Sequence, residues 1–166
     1  MNWFTSWLNR SSSGRDQQRS EAIIRRMLRA FGSSVIEVGP GHWGVVGERR
    51  HTYRVTLHVW AEGRMIHLMV ACEIVVERGL FPQELLLLLL EENHRFGDGS
   101  FRLVPQEDSR VVVLGRIVDT RTFHEEDLRP LGESLLQRMQ AMVTKLYGMG
   151  LIIAGTEREQ EVKRRN

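Results

Sequence analysis

From Tyr53 the chain alternates with period two. Val55, Leu57 and Val59 are separated by Arg54, Thr56, His58 and Trp60, and after Ala61-Glu62-Gly63-Arg64 the alternation resumes from Met65 to Ile74. That pattern predicts two antiparallel strands joined in a hairpin. A turn closed over either two residues, Glu62 and Gly63, or four pairs Trp60 with Met65, Val59 with Ile66 and His58 with His67. One face then carries Val55, Leu57, Val59, Ile66, Leu68, Val70, Cys72 and Ile74. The other carries Arg54, Thr56, His58, Trp60, Met65, His67, Met69 and Ala71.

Elsewhere the period lengthens to three and four. Ile23, Ile24, Met27, Leu28 and Phe31 predict a first helix, with Ser20 as its N-cap and Gly32 as its stop. A second helix is expected from Gln83 to about His94, with Pro82 in its first turn, and its six leucines, Leu85 to Leu90, read as buried on several sides. Leu128, Leu131, Leu135, Met139, Met142, Val143 and Leu146 form the stripe of a last helix that Gly148 ends. Thr122 with Glu125 has the form of a capping box that would put Pro130 inside the helix, whereas Asp127 as N-cap would put Pro130 in the first turn. Short strands are expected at Val35–Val38, Ser100–Val104 and Val111–Val118. Together these give an α+β domain, an antiparallel sheet of about five strands with flanking helices in the order α-β-β-β-α-β-β-α.

Residues 1–19 separate as an aromatic head, Trp3, Phe4, Trp7 and Leu8, followed by a polar linker, Ser11-Ser12-Ser13-Gly14-Arg15. Residues 20–155 form the domain, and residues 156–166 a charged tail with nothing to bury. A chain of 166 residues with 42% hydrophobic and 27% charged side chains can build its own core, which excludes collagen-like, wholly disordered and disulfide-scaffold classes. The formal charge of +2 gives no reason to expect nucleic acid. Met1–Leu8 lacks the features of a secretory signal, and the single Cys72 cannot pair within the chain, so a cytoplasmic location is expected. The leucine run falls far short of the ~18 apolar residues of a membrane span.

The catalytic motifs are few. Gly39-Pro40-Gly41-His42-Trp43-Gly44 matches the letters of a dinucleotide fingerprint, but a strand follows where a helix N-terminus would have to hold the pyrophosphate, so a turn between strands is expected. Cys72 shares the phase of Val70 and Ile74 and reads as core, without the exposure and neighbouring base of a nucleophile. Glu125, Glu126 and Asp127 sit where a helix N-terminus favours negative charge. His58 and His67 would supply two ligands where zinc takes three or four, so the expectation is no metal, no cofactor and no catalytic residue.

The leucine helix ending near Asn93, then Gly97, Phe101 and Leu103, the apolar Val111-Val112-Val113-Leu114 and the acidic helix start Glu125-Glu126-Asp127-Leu128 resemble the type III secretion chaperone-like fold, in its YbjN-like branch. The resemblance spans about residues 20 to 147. It implies a small homodimer that holds a partner polypeptide, or a regulatory relative of such chaperones, without catalytic residues to carry over. The stretch Gly39–Gly47 is richer in glycine than that pattern.

A sheet covered by helices on one side leaves Trp60, Met65, Met69, His58 and His67 for a dimer mate or a partner segment, since methionine adapts to varied apolar partners and an aromatic supplies an anchor. The expected function is therefore a non-enzymatic peptide- or protein-binding module, chaperone-like or regulatory and homodimeric. A small-pocket enzyme near His58 and His67 and a purely structural subunit are the alternatives. The head, Trp3, Phe4, Trp7 and Leu8, is a weak membrane anchor at that length and is expected to dock onto protein.

Overall fold

The computed structural model describes residues 14–50, 53–74, 83–97, 99–105 and 110–151. Six strands form one antiparallel sheet: β1 (Val35–Gly39), β2 (His42–Arg50), β3 (Tyr53–Glu62), β4 (Met65–Ile74), β5 (Ser100–Pro105) and β6 (Arg110–Asp119). Their spatial order is β1-β2-β3-β4-β6-β5, which places β6 inside the sheet and β1 and β5 at its margins. Three helices accompany them, α1 (Gly14–Arg29), α2 (Gln83–Arg95) and α3 (Leu128–Gly148). The α+β class and the antiparallel sheet are as expected. The count is one strand higher, because the glycine-rich stretch forms a second hairpin, β1–β2, turning at Pro40 and Gly41, with Gly41 at φ +69°.

The central hairpin has a different register from the one expected. Trp60 lies opposite His67 and His58 opposite Met69, and Glu62 pairs with Met65, so the turn residues are Gly63 and Arg64. Gly63 takes φ +59°, a backbone conformation at ease only in glycine, which suits it to this tight two-residue turn. The slip is two residues. An even slip leaves every side chain on its face, and the predicted core set is buried throughout, with Leu57, Val59, Val70, Cys72 and Ile74 all fully enclosed.

Among the described residues, helices cover that face alone. Ile23, Ile24, Met27 and Leu28 of α1 and the whole predicted stripe of α3 join the same core, and Leu85 and Leu89 bring α2 into it beside Phe101. The first helix starts seven residues earlier than expected, and Ser20 is buried in its middle rather than capping it. At the other end of the chain Asp127 occupies the N-cap position of α3 after a 3₁₀ turn at Glu125–Asp127, with Pro130 in the first turn. No capping box forms. Thr122 Oγ1 instead donates to the Asp119 carbonyl, and Glu125 receives the Arg26 guanidinium, Nη2 to Oε2 at 2.7 Å, which clamps α1 to the start of α3. That contact holds the Glu125 carboxyl below its usual range and raises Arg26.

The leucine helix is not buried on several sides. Leu85 and Leu89 enter the core, while Leu86, Leu87 and Leu90 are 44%, 59% and 64% exposed. Burial is limited to one stripe because α2 packs at the sheet's margin, over β5, with its far side clear of the domain. Lys145 Nζ on α3 reaches the buried Glu92 Oε1 at 2.6 Å and ties the two helices together. The Arg138 guanidinium of α3 lies over the Phe96 ring at 4.5 Å and the Phe101 ring at 5.3 Å. Pro82, the head residues and residues 156–166 lie outside the described residues. Among the described residues no helix is long and apolar enough to cross a membrane.

Candidate partner-binding face

With all three helices on one side, alternation along β2, β3 and β4 sends His42, Gly44, His58, Trp60, Met65, His67 and Met69 to the other. Register converts that list into rows. His42 lies opposite Trp60, Trp60 opposite His67, and His67 opposite Ile117, so one row of four crosses the sheet from β2 to β6. The next row runs Gly44, His58, Met69, Gly115. Gly44 leaves room in its row that the side chains of Thr56, Ile36 and Val38 fill, and a Cβ there would stand 2.9 Å from Thr56 Cγ2.

The rings of the first row touch. Trp60 stacks on His67 with centroids 4.8 Å apart and planes 10° from parallel, and meets His42 edge-on at 5.5 Å. His58 Nδ1 and His42 Nε2 are 3.2 Å apart, a hydrogen bond between neutral imidazoles. Glu62, at the hairpin's end, places Oε2 3.5 Å from His67 Nε2. The sequence brings Trp60, Met65, Met69, His58 and His67 to one face, as the alternation predicts, but it does not bring His58 against His67. A two-residue change of register gives each a different partner, Met69 for His58 and Trp60 for His67.

Burial drives the electrostatics. It pushes His58 down to about 4, with the neighbouring His42 adding to the effect, and it lowers His42 as well. His67 is lowered by burial against the opposing pull of Glu62. The three imidazoles are therefore uncharged at neutral pH and add no positive charge to the face they share with Trp60, Met65 and Met69. Among the described residues no three His, Cys, Asp or Glu side chains are grouped to hold a metal ion. Cys72 is fully enclosed on the opposite, helix-covered face.

His42 is the member that sequence reasoning missed. It sits in the glycine-rich stretch, where neighbouring Trp43 and Gly44 blur the alternation, and only the β2–β3 register shows that it joins His58.

No protein-family model matches the chain, and no curated protein sequence matches it. Among solved structures the fold is that of YbjN, a proposed transcription regulator from E. coli, with a TM-score of 0.58 at 14% identity over 80% of this chain and 94% of that one. The chain is also similar to a chain of the HopA1–SchA chaperone–effector complex, with a TM-score of 0.48 at 12% identity over 74% of this chain and 94% of that one. The domain thus has the YbjN-like fold to which the leucine helix and Asn93 pointed.

Proposed function

We propose that this chain is a non-enzymatic binding module, chaperone-like or regulatory, that works as a homodimer and holds a segment of a partner polypeptide. The observation that carries the reading is the helix-free sheet face, where Trp60, Met65 and Met69 are only half-buried beside an exposed Ile117. Half-buried aromatic and thioether side chains grouped on a rigid sheet are the usual anchors of a peptide-binding surface, and neutral imidazoles add hydrogen-bonding partners without a charge to desolvate. The YbjN-like fold is consistent with this reading. A segment lying across Trp60 and Met69 would bury apolar side chains on them, and no bond would be made or broken.

The homodimer has a surface of its own to draw on. Leu86, Leu87 and Leu90 form one exposed stripe on α2, which packs on the side of the sheet opposite the His–Trp row, and a second copy packed there would leave the sheet face free for the partner.

A photo-crosslinking residue at position 60 in the full chain, expressed in its native cell and read by mass spectrometry, tests the partner role. Crosslinks to an apolar segment of one protein, weakened by Met69→Ser, are expected. If Trp60→Ala and Met69→Ser both left capture intact, the reading would be wrong.

A further inference from the structure

The chain enters the domain at the end of the sheet that carries the His–Trp row. Gln17, in the first turn of α1, accepts a hydrogen bond from the Gly63 backbone N–H at 2.8 Å and donates to the Ala61 carbonyl at 3.2 Å, so the start of α1 is pinned to the β3–β4 turn. His42, Trp60 and His67 lie at that same end, one or two residues from the β1–β2 and β3–β4 turns. No described helix covers them, yet His42 and His67 are only 5% and 7% exposed, whereas Ile117, the next member of the row, is 47% exposed. Val111 and Val113, at the far end of the same face, are buried as well, but the shelter over His42 and His67 lies at the end nearest to where α1 begins.

The thirteen residues before Gly14 lie outside the described residues, and their sequence suits that place. Trp3, Phe4, Trp7 and Leu8 are apolar and aromatic, and Ser11-Ser12-Ser13 is a tether of small side chains. Trp7 is seven residues from Gly14 and Trp3 eleven, reaches of up to about 23 and 36 Å at ~3.3 Å per residue. The path round the turn, from the helix layer to the far side of the sheet, spans one layer spacing of about 10 Å and the height of a side chain.

We propose that the head folds back round the β3–β4 turn of its own chain and seats its aromatic side chains on His42, Trp60 and His67. The head then holds the surface that a partner segment would take and must be displaced by it. This second consequence rests on the peptide-binding reading; the seat itself does not.

Diethyl pyrocarbonate modification of the full chain, followed histidine by histidine by mass spectrometry, tests the seat. The exposed His94 and His124 serve as internal controls. In a full-length variant carrying Trp3→Ser, Phe4→Ser, Trp7→Ser and Leu8→Ser, His42 and His67 are expected to react several-fold faster, with His94 and His124 unchanged. Protection in the parent chain should survive dilution, and adding an excess of isotope-labelled parent chain should not protect the variant. Equal His42 and His67 rates in parent and variant would overturn the seat. Protection lost on dilution, or restored to the variant by added parent chain, would also overturn it, because the head would then come from a second copy. The readout needs no partner, so a failure of the peptide-binding reading would show separately, as crosslinking at position 60 that finds no segment while the protection persists.

Discussion

The side-chain amide of Asn93 grips the backbone of Phe101 at both ends. Its Oδ1 accepts from the Phe101 N–H at 2.6 Å and its Nδ2 donates to the Phe101 carbonyl at 2.9 Å. The last turn of α2 is thereby bonded to the margin strand β5 as another strand would be. Asn93→Ala would leave both backbone groups of a buried residue without that partner, and a loss of roughly 1 to 3 kcal/mol in urea unfolding is expected. Asn93→Asp keeps the acceptor and should lose less.

The neutral histidines give the fold a definite response to acid. An unfolded chain takes up a proton on each imidazole near its ordinary value of ~6.5. Folded His58 resists until about 4, so between those values the unfolded state binds more protons and stability falls as pH falls. The limiting slope is ~1.4 kcal/mol per pH unit for a one-proton difference. His58→Asn is expected to flatten the decline between pH 6.5 and 4 in urea titrations, and to leave stability above pH 7 without a new pH dependence.

The bridge between α2 and α3 should be sensitive on one side. Glu92 is buried and Lys145 is half in solvent, so Lys145→Ala strands a carboxylate with only Arg95 at 3.8 Å to answer it. A cost of about 1 to 3 kcal/mol is expected. Adding Glu92→Gln should recover part of it, and a double-mutant cycle in urea measures the coupling.

The β3–β4 turn holds one residue in a left-handed backbone conformation. Gly63→Val puts a β-branched side chain at φ +59°, which should cost roughly 1 to 2 kcal/mol. Thermal unfolding reads that cost, and amide exchange at Trp60 and His67 should quicken as the turn end of the ladder loosens.

What the sequence disclosed follows from where neighbouring residues contrast. Between Val55 and Ile74 apolar and polar positions alternate cleanly, so both faces of the hairpin were legible, including the one with Trp60 and Met69. Register was not, because Ala61-Glu62-Gly63-Arg64 can close in several ways, and only the pairing of the folded strands decides among them. The leucine helix offers no contrast at all. Leu85 and Leu90 are the same letter, one fully buried and the other 64% exposed, and only packing over β5 separates them. Ser20 misled for a related reason, since the polar turn before it, Gly14 to Arg19, is helical without any apolar stripe to announce it. The pairing of His42 with His58 depends on where two hairpins meet, a long-range fact that no local pattern encodes.

Among the described residues the order of strands leaves β1 and β5 as the sheet's two borders, and each is blunt. At one, β1 is five residues long and its pairing with β2 slips between Glu37 and Gly39, so only a short straight row of backbone groups faces outward. At the other, β5 ends in Pro105, which has no N–H to donate. Growth of this sheet strand by strand from copy to copy is discouraged at both sides. A molecule that shows Ile36 and Val38 to water is thereby guarded against fibre-like stacking, and its sociable chemistry is kept to its broad surface rather than its rim.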